Sequence, residues 1–282
     1  MSRISQNIIP FSFLFIGLLF SSCSSSSPLQ HPTTSATLWA QNAAEYKALT
    51  TSVYNTALSN LGIAIEDSYW TAYPNQEDQD IGNLPPAVVL DVDETVLDNS
   101  PFQARMIKQN SSFNLQQWND WVTEAKANPV PGAVQFTQQA ANKGVAVFYL
   151  TNREAEVEEG TRQNLKELGF PLAKNEDRIL SNNERKNWTS AKTERRAYVA
   201  QNHRIIMLFG DDLNDFVSAK NISQKKRAQL VENNRDKWGK LWYVLPNPVY
   251  GSWENALYNF DDSLSPSQID SVKKARLNAK NN

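Results

Sequence analysis

Four carboxylates crowd into the stretch VVLDVDETVLDN at positions 88–99. Asp91 and Asp93 come directly after the apolar residues 88–90, which are typical of the end of a buried strand. Carboxylates this close together raise one another's pKa unless a cation neutralises them. The stretch is therefore either a solvated turn or a site that holds a cation and does chemistry.

Two later apolar segments also end in polar residues. VAVFYLTN at 145–152 ends in Thr151 and Asn152, and RIIMLFGDD at 204–212 ends in Asp211 and Asp212. Asp and Asn also favour turns, so each cluster alone says little. In parallel α/β sheets, however, ligands bind beyond the carboxyl ends of the strands. Three polar strand ends therefore predict one site at one edge of one sheet.

Phosphoryl transfer through a carboxylate accounts for these residue types. Asp91 is predicted to be the nucleophile that attacks phosphorus, which divides one difficult hydrolysis into two easier steps. Asp93 points to the same side of an extended chain, so it would protonate the leaving oxygen and then activate water. A lysine is needed to neutralise the phosphate. Lys192 in TSAKTERRAYV is the first candidate and Lys186 the second.

Carboxylate and carbonyl oxygens are the ligands that Mg²⁺ prefers, and this ion usually keeps several waters. Asp91, the Asp93 carbonyl and Asp211 are its expected ligands. Asp215, one helical turn after Asp211, would bind the ion directly or orient its waters. Further donors to the phosphate are expected at the end of the second strand: Thr151 and Asn152.

Alternating strands and helices must position these residues. Helical spacing predicts one long N-terminal helix over residues 38–65, with a break near Gly62, and a small helical insert at about 100–128. LWYVLPNP offers a fourth strand near the C-terminus. Further helices are predicted at 131–144, 154–168 and 191–200. This order indicates an α/β fold with a doubly wound parallel sheet.

Composition and rare residues exclude several classes. The net charge of −2 and a pI near 5.8 give no electrostatic case for nucleic-acid binding. His31 and His203 are the only histidines, which excludes histidine phosphatases and His-rich metal sites; both are predicted to be structural. The single cysteine, Cys23, lacks an arginine six residues on, which excludes cysteine phosphatases, and it allows no intrachain disulfide.

The N-terminal residues are typical of an exported protein. Arg3 precedes an apolar run at 8–20, and small residues lead to Cys23 in LLFSSCSSSSP. We expect a signal peptide at 1–22, a flexible tether at 23–36 with Cys23 lipidated, and a folded domain at 37–282. Phe20 replaces the leucine usual in such sites. The expected location is a bacterial envelope membrane, with the outer membrane favoured, or the periplasm or exterior without the lipid.

The motif order D-x-D-x-T, T-N, a lysine, then G-D-D-x-x-D resembles the haloacid dehalogenase (HAD) superfamily. LDVDETVLDNS, GDDLNDF and LPNPVYGSWE are similar to class C acid phosphatases, a family that includes outer-membrane lipoprotein 5′-nucleotidases. The resemblance covers residues 38–260 and implies a HAD-like Rossmannoid core with the helical insert as a cap. Asp212, where an asparagine can occur in the family, is a visible departure.

The resemblance also implies roles for individual residues. Asp91 is the implied nucleophile and Asp93 the general acid and base, with Mg²⁺ bound by Asp91, Asp93 and Asp211 and supported by Asp215. Thr151 and Lys192 are the implied phosphate ligands. An aromatic pair that grips the substrate's base matches Trp118 and Tyr250. The implied substrate is a nucleoside monophosphate or another small phosphomonoester.

Two alternatives stay open. The chain is either this phosphatase or a surface lipoprotein that binds haem or another planar ligand on a phosphatase scaffold. Related storage proteins lose the nucleophile, so the presence of Asp91 favours the enzyme. Trp118 and Tyr250 are either a substrate platform or part of the core, because buried aromatics are common in cores. The oligomeric state is also open, a homodimer included.

Overall fold

The structure, a computed structural model, describes residues 31–280; the predicted signal peptide and Cys23 lie outside the described residues. The strands are β1 (Pro86–Asp91), β2 (Leu97–Asp98), β3 (Asn128–Pro129), β4 (Ala146–Glu154), β5 (Ile179–Asn182), β6 (Arg204–Gly210) and β7 (Trp242–Val244). Five of them form one parallel sheet in the order β5-β4-β1-β6-β7. The order reverses at β1, which is the doubly wound arrangement predicted from the sequence.

Helices cover both faces of this sheet. They are α1 (Thr34–Asn42), α2 (Ala44–Glu66), α3 (Ser100–Gln109), α4 (Leu115–Glu124), α5 (Ala133–Asn142), α6 (Glu158–Glu167), α7 (Thr193–Ala200), α8 (Gln224–Asn233), α9 (Ser252–Asn255) and α10 (Pro266–Arg276). Among residues 31–280, no helix has the length and apolar character needed to cross a membrane.

The sheet is buried on both faces, as a parallel sheet must be when helices cover it on each side. Along β1, Val88 and Leu90 pack in one apolar cluster and Val89 in the other. In the first cluster the Phe209 ring of β6 lies between Tyr54 of α2 and Tyr243 of β7, with ring centroids 5.6 and 4.8 Å away. This packing fixes the strands whose ends carry the polar clusters.

The N-terminal helical region differs in detail from the prediction. Its break lies at Ala43, whose extended backbone (φ −72°, ψ 128°) separates α1 from α2, and not near Gly62. Gly62 faces open space, and a glycine inside a helix costs only about 1 kcal/mol relative to alanine. The helix therefore continues through Gly62 to Glu66. The first helix begins at Thr34, within the segment predicted as a tether.

The helical insert forms a small cap. Helices α3 and α4 lie between β2 and β3, which pair antiparallel through Leu97 with Pro129 and Asp98 with Asn128. This short ladder closes the base of the insert, just after the acidic stretch that ends β1. The predicted fold class, an α/β parallel sheet with a helical cap and an N-terminal helical region, is confirmed.

Candidate active site

Asp91 is the last residue of β1, and its side chain is buried. Its Oδ2 accepts a hydrogen bond from Thr95 Oγ1 at 3.3 Å, and its Oδ1 accepts one from Lys192 Nζ. Burial raises the pKa of Asp91 to about 7; Lys192 lowers it in part, while Asp215 and Asp93 raise it further. A rigid, poorly hydrated carboxylate at a strand end suits a nucleophile, because little solvent has to leave before it attacks.

Lys192 lies between two carboxylates. Its Nζ donates to Asp91 Oδ1 and, at 2.6 Å, to Asp215 Oδ1. Burial opposes the charge of this ammonium, but the two aspartates outweigh burial and raise the pKa of Lys192. Lys192 adopts a left-handed backbone with φ of 58° at the start of α7, which costs a non-glycine residue about 1–2 kcal/mol. The fold therefore keeps a charged lysine beside Asp91.

Arg195 holds the segment before Lys192 against the end of β4. It is fully buried, and its guanidinium donates to the backbone oxygens of Thr151 and Thr189 and, at 2.6 Å, to Asn152 Oδ1. Burial lowers the pKa of Arg195 to about 10, so the side chain stays charged at neutral pH. These bonds place the lysine-bearing loop next to the polar ends of the strands. The second lysine candidate, Lys186, is exposed.

Asp211 and Asp215 follow the end of β6. Asp215 is buried, and its Oδ2 accepts from the Asp212 backbone N–H at 3.0 Å. A Cβ atom on Gly210 would come within 2.2 Å of Asp215 Oδ2, so only glycine allows the carboxylate this position. Asp211 Oδ2 accepts from Asn247 Nδ2 at 2.8 Å. The glycine of the G-D-D motif therefore leaves room for the carboxylate of Asp215, five residues later.

The donor set fits a hard divalent cation. Oxygen atoms of Asp91, Asp211 and Asp215 all lie within 4.8 Å of one another. Burial raises the pKa of Asp211 well above its ordinary value, and the two neighbouring aspartates raise it further. A cation would relieve this repulsion, and carboxylates are the ligands that Mg²⁺ prefers. The Asp93 side chain is not part of this cluster, so only its carbonyl remains a candidate ligand.

The Asp93 carboxylate turns instead towards β4 and the cap. Its Oδ1 accepts from Arg153 Nε at 2.9 Å and from Asn99 Nδ2 at 2.9 Å, and its Oδ2 contacts the Thr151 hydroxyl at 3.1 Å. Its side chain is 17% exposed, so it reaches the cleft that the other carboxylates line. A firmly held carboxyl group at the cleft wall can move a proton at a fixed position.

The two predicted donors at the end of β4 differ in placement. Thr151 is fully buried, and its hydroxyl contacts Asp93 and accepts from the Arg153 N–H at 3.0 Å. The Thr151 hydroxyl, which was predicted to bind phosphate, is therefore already hydrogen-bonded within the protein. Asn152 is exposed and lines the cleft, and its Nδ2 donates to the Ser190 carbonyl at 3.2 Å.

A cleft of about 570 Å³ opens above these strand ends. Its lining includes the predicted aspartates and lysine as well as both predicted aromatic residues: Asp91, Asp93, Asp211, Asp215, Lys192, Trp118 and Tyr250. Trp118, on α4 of the cap, packs edge-on against Phe102 with centroids 5.1 Å apart. The cleft is much larger than a phosphate group, so it has room for the organic part of an ester.

Tyr250 is held in the cleft by a residue that sequence reasoning did not single out. Its hydroxyl donates to Glu94 Oε1 at 2.9 Å, and Glu94 Oε2 accepts from the Asn99 N–H at 3.1 Å. Burial raises the pKa of Glu94 to about 8, and the nearby Asp98 raises it further. Glu94 therefore ties the C-terminal segment to the base of the cap. Nothing local in the sequence indicates this contact, since 156 residues separate the partners.

Arg153 is the other missed residue. It lies directly after Thr151 and Asn152 and is almost fully buried against Asp93. In a strand, residues two apart point to the same face, so Thr151 and Arg153 share one face of β4. This spacing is a signal that was present in the sequence.

Asp212 accepts hydrogen bonds from the Ser252 N–H and from Arg227, so it anchors the C-terminal loop.

The two histidines take different places. The His31 ring contacts Thr33 Oγ1 at 2.9 Å and the Ser111 carbonyl oxygen at 3.2 Å, and the residue lines the cleft. His203 packs edge-on against Phe148 of the second apolar cluster, with centroids 5.0 Å apart, and it does not line the cleft. The segment just before α1 is thus part of the cleft wall.

Solved structures of one bacterial phosphatase are strongly similar to this chain. The class C acid phosphatase from Bacillus anthracis is 34% identical, with a TM-score of 0.77 over 89% of this chain and 99% of that chain. The crystal structure of the same phosphatase with tungstate bound is also 34% identical, with a TM-score of 0.79 over 90% of this chain and 99% of that chain.

Curated proteins show more distant similarity. Acid phosphatase 1 from Solanum lycopersicum is 28% identical over 163 residues, and the stem 31 kDa glycoprotein from Glycine max is 24% identical over 166 residues. Each match covers 57% of this chain, and the chain spans 57% and 58% of the lengths of these relatives.

The sequence of residues 22–253 matches the family described as HAD superfamily, subfamily IIIB (Acid phosphatase). This match covers well over half of the chain and includes β1, the cap, β4, β6 and Tyr250. It confirms the resemblance drawn from the motifs. Together with the similarity to the Bacillus anthracis phosphatase, it shows that the chain belongs to the acid phosphatases of HAD subfamily IIIB.

Proposed function

We propose that the protein is a Mg²⁺-dependent phosphomonoesterase that hydrolyses nucleoside monophosphates through an aspartyl-phosphate on Asp91. One observation carries the proposal: Asp91 lies at the end of β1 in contact with Lys192, beside Asp211 and Asp215, and it opens into a cleft with room for an organic group. The tungstate bound to the Bacillus anthracis relative, an oxyanion like phosphate, supports a phosphate-binding site.

In the first step, an Asp91 oxygen attacks the phosphorus atom of the ester. A bond forms between this oxygen and phosphorus, and the bond from phosphorus to the leaving-group oxygen breaks. Asp93 gives its proton to that oxygen, so the alcohol leaves neutral. Lys192 stays beside Asp91 throughout and offsets the negative charge that the phosphate brings into the buried site.

In the second step, Asp93 acts in reverse. Its carboxylate takes a proton from a water molecule whose oxygen attacks the phosphorus of the aspartyl-phosphate. The bond between phosphorus and the Asp91 oxygen then breaks, which releases inorganic phosphate and restores the Asp91 carboxylate. Asp93 is protonated again, as the next cycle requires. The contacts of Asp93 with Arg153 and Thr151 keep it in place for both transfers.

A bound Mg²⁺ would neutralise phosphate oxygens and the clustered carboxylates. Asp91, Asp211 and Asp215 are the side chains that would hold it, and Asn247 orients Asp211 for that task through its hydrogen bond at 2.8 Å. Lys192 already bridges Asp91 and Asp215, so the lysine and the metal together would balance the three carboxylates.

The nucleotide preference is proposed from the walls of the cleft. Trp118 and Tyr250 both line it, and aromatic rings accept any nucleobase by stacking, for about 1–3 kcal/mol per base. We expect Trp118→Ala and Tyr250→Ala each to lower kcat/KM for nucleoside 5′-monophosphates by about tenfold or more. The rate for glycerol phosphate, which has no ring, should change far less. Steady-state kinetics with both substrates measures the difference.

Two controls sharpen this test. Tyr250→Phe keeps the ring but removes the hydroxyl that donates to Glu94, so it should retain most of the nucleotide preference. Tyr69→Ala removes an aromatic ring that is 80% exposed and does not line the cleft, so it should change neither rate. If the alanine variants lost equal activity towards both substrates, the two aromatic residues would be packing residues. The proposed preference for nucleotides would then have no support.

The proposal includes an envelope location through a lipid on Cys23. The apolar run at 8–20 and the small residues before the cysteine support it. Expressed in a bacterium, the wild-type chain should partition into the detergent phase and incorporate a labelled fatty acid. Cys23→Ala should do neither, while Ser26→Ala in the same serine run should behave like the wild type. Label retained by Cys23→Ala would refute lipidation at this residue.

A further inference from the structure

Arg153 uses its whole guanidinium group inside the protein. Only 1% of its side chain is exposed. Its Nε and Nη2 each lie 2.9 Å from Asp93 Oδ1, while Nη1 donates to Thr161 Oγ1 at 3.1 Å and Nη2 to Asn99 Oδ1 at 3.2 Å. A buried arginine whose nitrogens all have partners has one fixed position. Through it, the Asp93 carboxyl also has one fixed position.

These contacts give the two carboxyl oxygens of Asp93 different hydrogen-bond partners. Oδ1 accepts from Arg153 and from Asn99 Nδ2, so its lone pairs face N–H groups. Oδ2 accepts one hydrogen bond among the described residues, from the Thr151 hydroxyl, which leaves it a second lone pair that can carry a proton. A proton on Oδ1 would point at donors, whereas a proton on Oδ2 is free to move. Oδ2 is therefore the oxygen that can exchange a proton with a molecule in the cleft.

The same arginine contacts the cap. The Trp118 ring lies over the guanidinium, with its centroid 5.6 Å from Arg153 Cζ. Asn99 Oδ1, which accepts from Arg153, also accepts from Trp121 Nε1 at 2.8 Å. Both tryptophans belong to α4. Arg153 thus contacts both the cap helix α4 and the carboxyl group of Asp93.

We propose that Arg153 is a positioning residue that aims Asp93 Oδ2 at the leaving-group oxygen. The proton passes from Oδ2 to that oxygen as its bond to phosphorus breaks, and Arg153 itself gives up no proton. This role rests on the proposed function, because it concerns the first step of that reaction.

Esters with different leaving groups separate this role from a general role in stability. Benzyl phosphate and 4-nitrophenyl phosphate each carry one ring, but benzyl alkoxide needs a proton to leave and 4-nitrophenolate does not. General acid catalysis contributes about 10²–10⁴ in rate where the proton is needed. We expect Arg153→Met to lower kcat/KM for benzyl phosphate by about a hundredfold and for 4-nitrophenyl phosphate by less than about fivefold. Arg153→Lys keeps the positive charge but lacks the planar guanidinium group. Its loss of kcat/KM for benzyl phosphate should lie between zero and that of Arg153→Met.

Two controls separate this effect from misfolding and from unrelated effects on the cap. The ratio of the two rates within one preparation does not depend on the folded fraction. Arg105→Met is the matched control, because the Arg105 guanidinium also lies over a cap tryptophan, 4.9 Å from the Trp121 ring, but has no contact with Asp93. Its ratio should equal that of the wild type. In an Asp93→Asn background, Arg153→Met should cost less than about threefold for either ester.

The outcomes are distinct. A large loss confined to benzyl phosphate, together with the small cost in the Asp93→Asn background, supports the positioning role. Equal losses for the two esters in Arg153→Met and Arg153→Lys would overturn it and leave the proposed hydrolase intact. A wild-type protein that hydrolyses neither these esters nor a nucleoside 5′-monophosphate would refute the proposed function, and the role of Arg153 with it.

Discussion

Asp91→Asn is expected to lower kcat/KM for phosphate monoesters by at least about a thousandfold, as loss of an enzyme's nucleophile does. The amide keeps the shape of the side chain and can still accept from Thr95, but it cannot attack phosphorus. Rapid acid quenching with a radiolabelled substrate should trap label on the wild-type protein and none on the variant. Retention of more than a few per cent of the activity would rule out covalent catalysis by Asp91.

The fold should survive this substitution. Lys192 keeps its partner Asp215, and the buried cluster loses one of its mutually repelling carboxylates. Without metal, the melting temperature of Asp91→Asn should therefore equal or exceed that of the wild type. Asp98→Asn is the matched control, because it makes the same charge change in the same acidic stretch. Asp98 does not line the cleft, and its Oδ1 accepts from the Ser100 N–H. We expect Asp98→Asn to stay active.

Mg²⁺ is expected to raise the melting temperature, and EDTA to abolish activity. An ion at a hundred times its dissociation constant adds about 2.7 kcal/mol to the free energy of unfolding. For a domain of this size that is a rise of roughly 5–10 °C. Asp211→Asn should remove most of this shift, because it deletes a ligand whose own burial already disfavours its charge. Thermal melts with Mg²⁺ and with EDTA measure it.

The shift should also grow with pH. The pKa of Asp91 is raised to about 7 in the folded protein, above its ordinary value of 3.8, so the folded protein retains a proton that the unfolded chain has lost between these values. Stability without metal therefore falls as the pH rises through this window. Mg²⁺ takes the place of the proton, so its stabilising effect should be larger at about pH 7.5 than at about pH 5.

A second acidic cluster provides the control for the metal. Glu158, Asp177 and Glu184 also have oxygens within 4.8 Å of one another, but Arg162 already binds Glu158 and Asp177. Asp177→Asn should therefore leave the Mg²⁺-dependent shift unchanged. A melting curve that ignores both Mg²⁺ and EDTA, or a shift lost in Asp177→Asn but kept in Asp211→Asn, would remove the metal from the proposed site.

The parts of the fold that local pattern specifies were predictable. β1, β4 and β6 are continuous apolar runs, as strands buried on both faces must be. β5 was missed because only Ile179 and Leu180 are apolar in its four residues. β4 continues to Glu154, past the predicted end at Asn152, because Glu154 pairs with Asn182 of the strand that was missed. The paired β2 and β3 are two residues long, too short for any periodicity.

The site was predictable where a residue follows a strand, and not where it depends on a distant partner. Asp91, Asp211 and the end of β4 are set by strand ends, which the sequence displays. The contacts of Glu94 with Tyr250 and of Asp212 with Ser252 join segments far apart in the chain, so no local pattern reveals them. Arg153 lies between these cases, because its position two residues after Thr151 places it on the same face of a strand.

The strand order determines when this site can first exist as the chain folds. β1 pairs with β6, and Lys192, 101 residues after Asp91, completes the pair of charges at its end. Before these later segments join β1, Asp91 has no lysine beside it. Phosphatase activity should therefore appear in one step, with the closure of the sheet, and no shorter fragment ending before β6 should have any.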